Sequence, residues 1–352
     1  MTKTMKAAVL HAPGDIRFEN VPVPSDLHKK EVLVKVRAAG ICGSDLDRIM
    51  KTGTYSFPTI PGHEFCGIVE KTGDEEKGFK KGDRVVVAPI IPCFSCESCQ
   101  QGHYGQCASY NYLGSRTDGG FAQYVKAPVM NLIRMPAEVS YKEGAAIEPA
   151  AVTLHGMRRV GVETGDTVAV LGCGTLGLFA LQFAKIMGAT RTIAVDIAEE
   201  KLELAQKLGA DELVCAQEKD PVTEIKKMTE GRGPHAAIET AGVSITQEQC
   251  LRIAAKHGRI LYLGTAHKDV VIPAGSFEHI VRNELLITGS WNSYSAPFPG
   301  REWHASVDYV KKKVIKIEPL ITHTFVLEDA SKVFRDLAER RYVYNKVMFE
   351  IN

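Results

Sequence analysis

The run Thr167-Val168-Ala169-Val170-Leu171-Gly172-Cys173-Gly174-Thr175-Leu176-Gly177 decides the fold of half this chain. Its continuous apolar opening predicts a strand buried on both faces. The glycines then fall at G-x-G-x-x-G spacing, and 178–188 has the apolar period of a helix. A second strand, 191–196, ends in Asp196, 19 residues beyond Gly177. Glycines alone say little, but strand, turn, helix and strand-terminal acid in this order form a dinucleotide-binding fingerprint. Gly172 allows the tight turn, Gly174 lets the backbone approach a pyrophosphate, and Gly177 lets the helix pack on the sheet. Thr175 and Leu176 open the helix whose N-terminus stabilises phosphate charge. Asp196 suits ribose hydroxyls and would repel a 2′-phosphate, and Ile197-Ala198 brings no compensating cation. NAD is therefore expected rather than NADP.

Working outward, strands and helices alternate as far as Gly289, which predicts an α/β fold with a doubly wound sheet of six parallel strands. The rhythm is lost after that. The segment Trp291-Asn292-Ser293-Tyr294-Ser295-Ala296-Pro297-Phe298-Pro299 is a loop of aromatics and prolines. Trp291, Asn292 and Tyr294 are candidates for a substrate wall, with core packing an equal alternative for Trp291 and Tyr294. Upstream, Met5–Leu10 and 31–37 alternate apolar and charged residues, as half-buried antiparallel strands do, with Pro13-Gly14 as punctuation. The expected domains are 1–151, 152–289 and a returning segment, 290–352, that rejoins the first.

Cys93, Cys96, Cys99 and Cys107 lie within one loop. Four thiolates suit a closed tetrahedral Zn²⁺ site that leaves no coordination position for chemistry. An iron–sulfur cluster also takes four cysteines, but the spacing and the placing of Pro92 differ from the ferredoxin pattern. Cys42, within Gly40-Ile41-Cys42-Gly43-Ser44-Asp45, and His63, within Pro61-Gly62-His63-Glu64-Phe65, are potential metal ligands beside glycines; each is open to a purely structural reading. Glu148 sits in the apolar segment 145–149, where a carboxylate is costly without a partner. Arg116 is either a solvated turn residue or a ligand-binding cation. Cys66, Cys173, Cys215 and Cys250 lack metal spacing and read as small buried apolar residues.

The chain has 352 residues, 45% hydrophobic and 24% charged, with a formal net charge of +1. This is the composition of a soluble two-domain enzyme and gives no electrostatic case for nucleic acid or membrane as partner. The N-terminal residues lack a signal-peptide pattern. Reduced thiols point to the cytoplasm.

With both metal arrays and the glycine turn in view, the chain resembles the zinc-dependent medium-chain dehydrogenases/reductases along essentially its whole length. The loops 114–122 and 289–303 resemble those of the branch acting on polyol phosphates. The resemblance implies a GroES-like β-rich catalytic domain interrupted by a Rossmann domain, with the active site in the cleft between them. It also implies two zinc ions per chain. Cys42, His63 and Glu148 fall on the catalytic ligands, Cys93, Cys96, Cys99 and Cys107 on the structural ones. Glu64 matches a neighbouring acid that can displace water or substrate from the metal, and Arg116 becomes a phosphate anchor. The implied reaction oxidises a secondary hydroxyl of a polyol phosphate with NAD, most simply galactitol 1-phosphate to tagatose 6-phosphate, with Ser44 passing the proton outward. Asp47 stands where several polyol dehydrogenases have a histidine, so the relay beyond Ser44 differs here.

Rival readings are a dehydrogenase of free polyols such as sorbitol, or of threonine. From other classes come a zinc-loop binding module and a non-catalytic structural protein. The module would need basic and aromatic residues around 93–107, where Glu97 and glutamines stand instead. A non-catalytic relative would be expected to have lost ligands or the glycine turn, and both are kept. The apolar strand at 285–287 suits pairing across a two-fold axis, so a homodimer is expected.

Overall fold

The computed structural model describes residues 3–73 and 78–352 and divides into two compact units. The first two residues of the N-terminal stretch read above lie outside the described residues.

The unit Ala150–Ser293 carries the expected six-stranded parallel sheet. Its strands lie in the order Glu212–Cys215, Arg191–Asp196, Thr167–Leu171, Ala236–Glu239, Arg259–Tyr262 and Leu286–Gly289. Val168 to Leu171 are buried, as their unbroken apolar character requires. Thr167–Leu171 pairs with Arg191–Asp196 on one side and with Ala236–Glu239, much later in the chain, on the other. The order reverses there, and such a switch point leaves a crevice at the carboxyl ends of the strands. Helix Thr175–Ile186 buries Gly177 through Ala184. Ala169, Leu171, Ile193, Val195, Ile225, Ala237, Leu251 and Ile260 share a core in this unit.

The other unit joins the chain up to Pro149 with Tyr294–Asn352. Strand Glu31–Ile41 buries Val32, Val34 and Val36 and leaves Lys35 and Arg37 half-buried, the alternation read from sequence. It has three antiparallel partners. Glu64–Thr72 pairs with it from Val32↔Thr72 to Gly40↔Glu64, and Tyr124–Pro128 from Glu31↔Pro128 to Lys35↔Tyr124. The C-terminal strand Lys346–Glu350 pairs from Ala38↔Glu350 to Ile41↔Val347. Phe121, Phe334 and Phe349 meet in the core beneath, with ring centroids 5.3–6.1 Å apart. Pro13-Gly14 closes the hairpin of Thr4–Ala12 and Asp15–Pro22, Gly14 taking a φ of +81°. Among the described residues no helix is long and apolar enough to cross a membrane.

The approach to Glu148 is braced by a buried charge. Ser140 caps helix Tyr141–Ala145: its Oγ accepts from the Glu143 N–H at 3.2 Å, and its own N–H donates to Glu143 Oε2 at 2.8 Å. Lys313 donates to the other oxygen at 2.9 Å. Burial alone would raise the Glu143 carboxyl, but Lys313 and the Ser140 donors hold it below its ordinary value. A depressed carboxyl stabilises the fold above its unfolded-state pKa, and this contribution is lost as pH falls through the folded one. Glu143→Gln should therefore cost about 1–3 kcal/mol at neutral pH. In thermal unfolding the gap between variant and parent should close as pH drops below about 4.3.

Candidate functional site

The four loop cysteines converge: the Sγ atoms of Cys93, Cys96, Cys99 and Cys107 all lie within 4.8 Å of one another. Cys96 N–H donates to Cys93 Sγ and Cys93 N–H to Cys107 Sγ, both at 3.3 Å, the kind of bond that stabilises a thiolate. The Cys93 thiol is drawn down to about 5, first by its hydrogen bonds with Ser95. Cys99 is pushed up to about 12 by burial and then by its Cys96 and Cys107 neighbours. Four crowded sulfurs cannot all ionise without a cation among them, and their softness suits Zn²⁺. Phe94, at a φ of +58°, packs against Tyr104 and Phe298, which pins the loop to the returning C-terminal segment. All nine cysteines are free, and Cys215 is only partly buried, unlike the apolar interior position expected for it.

A second cluster forms at the carboxyl end of Glu31–Ile41. The Gly40↔Glu64 register places Cys42, just past the strand end, beside His63, and the Ile41↔Val347 register brings in Lys346. Cys42, His63 and Glu64 offer one ligand atom each within 4.8 Å of one another. Glu148 is not one of this trio, but lies buried nearby in the first turn of helix Ile147–Val160. A Cβ on Gly40 would fall 2.2 Å from Glu64 Oε2, so only glycine fits opposite that carboxylate.

The electrostatics separate the two glutamates. Lys346 Nζ donates to Glu64 at 2.9 and 2.6 Å and to the Ile41 carbonyl at 3.1 Å. Burial opposes the charge on Lys346, but Glu64 holds its pKa raised. Glu148 has no such cation bound to it among the described residues. Burial pushes its carboxyl up to about 7, His63 opposing the rise and Glu64 adding to it. A buried acid that ionises only at a cost is a position that a divalent cation would stabilise.

Asp45, unremarked in the sequence reading, accepts from the Cys42 N–H at 3.1 Å and stands 3.0 Å from His63 Nδ1. Burial would lower the imidazole's pKa, but Asp45 holds it well above the ordinary value. The contact leaves His63 Nε2 available to a metal, the arrangement typical of metal-binding histidines. Ser44 Oγ donates to Cys42 Sγ at 3.4 Å and accepts from Arg48 at 3.1 Å. Asp47 is tied to Lys51 at 3.0 Å. Tyr112 is buried with its ring 5.7 Å from that of His63. Asp45 was legible in principle from its position three residues after Cys42; Lys346 and Tyr112 carry no local signal.

Arg116 lies between two rings, its guanidinium carbon 4.1 Å from the centroid of Tyr55 and 4.5 Å from that of Tyr110. Tyr294 is buried, stacked 5.9 Å from Phe298, and its hydroxyl accepts from the Ile90 N–H at 3.1 Å. Trp291 and Asn292 belong to the other unit; Trp291 is exposed, and Asn292 has a φ of +57°.

In that unit the glycine turn has the predicted form. A Cβ on Gly177 would lie 1.8 Å from the Gly172 carbonyl oxygen, whereas one on Gly174 would meet nothing within 4 Å. Gly174 is the N-cap of helix Thr175–Ile186 and supplies no side-chain cap, so the first-turn N–H groups stay available to an anion. Gly174, Thr175 and Leu176 are half-buried while Gly172 and Gly177 are covered. Asp196 accepts from the Cys173 N–H at 2.7 Å and the Ala198 N–H at 2.9 Å, which orients its carboxylate at the strand end.

Comparison with known proteins matches residues 28–137 to the alcohol dehydrogenase GroES-like domain and residues 175–310 to the zinc-binding dehydrogenase domain. Galactitol 1-phosphate 5-dehydrogenase of Escherichia coli K12 is 37% identical over 334 residues, 95% of this chain and 96% of that protein. A crystal structure of galactitol-1-phosphate dehydrogenase from Escherichia coli superposes with a TM-score of 0.93, covering 98% of this chain and 100% of that one. Sorbitol dehydrogenase of Bacillus subtilis is 34% identical over 98% of this chain and 97% of its own length. A putative zinc-binding dehydrogenase from Sinorhizobium meliloti, bound to NADP, has a TM-score of 0.92 at 33% identity, covering 99% of each chain.

If Asp45 orients His63 as a ligand, Asp45→Asn should weaken zinc retention about tenfold or more. Zinc release to a competing chelator measures it, with the ion of the four-cysteine loop as internal reference.

Proposed function

Because this chain belongs to the zinc-dependent medium-chain dehydrogenase/reductase family, among its polyol dehydrogenases, we propose that it oxidises a polyol phosphate to a ketose phosphate with NAD⁺, galactitol 1-phosphate to tagatose 6-phosphate being the simplest case. Residues 1–151 and 290–352 form the catalytic part and 152–289 the NAD-binding part. The observation that carries the phosphate is Arg116, a guanidinium held between Tyr55 and Tyr110 with no carboxylate paired to it among the described residues.

Cys42, His63 and Glu148 hold the catalytic ion, and the four-cysteine loop holds the structural one. Glu64, its charge already matched by Lys346, stays the neighbouring acid. When bound, zinc would supply Lewis-acid polarisation of the substrate hydroxyl and NAD⁺ would supply the hydride acceptor. Ser44 takes the proton from that hydroxyl and passes it outward. Arg48 cannot accept a proton, so its part is to hold the Ser44 oxygen and stabilise negative charge developing there. Arg116 binds the phosphate in plane, with Tyr294 of the same unit as a further substrate contact. The glycine turn receives the pyrophosphate, and Asp196 the adenosine ribose. The Sinorhizobium meliloti relative carries NADP; the choice of NAD here rests on Asp196 and on the absence of a cation at Ile197-Ala198. The setting is cytoplasmic.

Sorbitol oxidation is the second reading, favoured by the Bacillus subtilis relative. A panel of free and phosphorylated polyols assayed by NAD⁺ reduction separates the two. Arg116→Ala should raise KM for the phosphorylated polyol by at least tenfold more than for the free one, about the worth of one charge-assisted pair; equal effects would retire the phosphate.

The working assembly is a homodimer. Leu286–Gly289 is an edge strand of its sheet, with Leu286 and Ile287 exposed and Phe277 and Val281 exposed on the preceding helix. An open apolar edge calls for a partner. Ile287→Lys should shift the mass measured by light scattering from dimer to monomer.

A further inference from the structure

The surroundings of Arg116 differ from those of two other stacked arginines, Arg84 and Arg134. Arg84 lies over Tyr141 but also donates to the carbonyls of Pro136 and Val139. Arg134 lies over Phe79 and pairs with Asp83 at 2.9 Å. Arg116 lies over two rings rather than one, its Nε is buried without a hydrogen-bond partner, and among the described residues no acceptor meets the head. The acid nearest in sequence, Asp118, accepts from the Ile60 N–H at 3.0 Å instead.

Both rings are fixed to the turn that carries the arginine. Tyr110 leads into strand Asn111–Tyr112, which pairs with Ile90–Ile91, and the Arg116 N–H donates to the Tyr112 carbonyl at 2.9 Å. Tyr55 comes from another loop, and its N–H donates to the Ser115 carbonyl at 3.4 Å. A carboxylate partner would cancel the charge of Arg116. Two aromatic faces attract it through their quadrupoles and leave its full positive charge in place. They also restrict the planar head, so that less rotamer freedom is lost when a ligand binds.

We propose that Tyr55 and Tyr110 are specificity-determining positioning residues: they clamp the faces of Arg116 so that only its in-plane terminal nitrogens can engage a ligand, which selects a phosphate monoester over a neutral hydroxyl. Given Arg116 as the phosphate anchor proposed above, discrimination for the phosphorylated polyol then depends on two side chains that need not touch the phosphate. Tyr55 is 68% exposed and can be truncated without opening a core cavity.

The test uses the full-length zinc-loaded enzyme. Tyr55→Ala and Tyr110→Ala should each raise the ratio of KM for phosphorylated polyol to KM for free polyol about two- to fivefold, the loss of one solvent-exposed cation–π contact. Inhibition by inorganic phosphate should weaken in parallel, and Tyr55→Phe, which keeps the ring face, should restore both. An unchanged KM ratio and unchanged phosphate inhibition in both alanine variants would overturn the clamp while leaving a phosphate-selective Arg116 standing. If Arg116→Ala also left the ratio unmoved, anchor and clamp would fall together.

Discussion

A buried ion pair between Glu64, which opens strand Glu64–Thr72, and Lys346, which opens the last strand, holds the cluster of Cys42, His63 and Glu64 together. Lys346 and Glu64 are 3% and 1% exposed in their side chains and meet at 2.6 Å. Removing one partner of such a pair strands the other charge in a poor solvent, at a cost of about 3–5 kcal/mol. The pair needs the registers that bring Glu64 and Val347 to the two sides of Glu31–Ile41, and it needs Gly40 to make room. Those registers also bring Cys42 and His63 together, so the strand pairing that satisfies the ion pair also builds the cluster.

Around this pair one buried acid has no cation bound to it among the described residues. Asp45, Glu64 and Glu148 are all buried, with Cys42 half-buried beside them; Lys346 answers Glu64, and His63 and Arg48 answer Asp45. Glu148 is left over, which is why burial lifts it to about 7. A divalent ion would change that balance, drawing on the thiol of Cys42, the free nitrogen of His63 and a carboxylate. The four-cysteine loop follows the same logic with sulfur alone, and Phe298 anchors it from the returning segment.

The dinucleotide unit solves a different problem, that of stabilising an anion without a side chain. Backbone approach at Gly174 and an uncapped helix start do so through N–H groups and the helix dipole. Asp196, held by two backbone N–H groups, is prepared to accept from hydroxyls at the strand end. All of this follows from two strands, one turn and one helix that are contiguous in the chain.

Contiguity marks how far the sequence could be read. The four cysteines of 93–107, the glycines of 172–177 and the acid at 196 lie close together, and the local backbone brings their atoms into range without help from distant segments. The alternation of strands and helices likewise determined the parallel sheet and its six strands. Only the tertiary structure decided that Glu64 offers a ligand atom beside Cys42 and His63, with Glu148 buried nearby. It also decided that Lys346 answers Glu64 and that Tyr55 and Tyr110 enclose Arg116. Apart from Tyr110, six residues from Arg116, these contacts join segments separated by 21 to 282 residues, and they depend on sheet register and loop closure, which leave no pattern in the neighbouring residues.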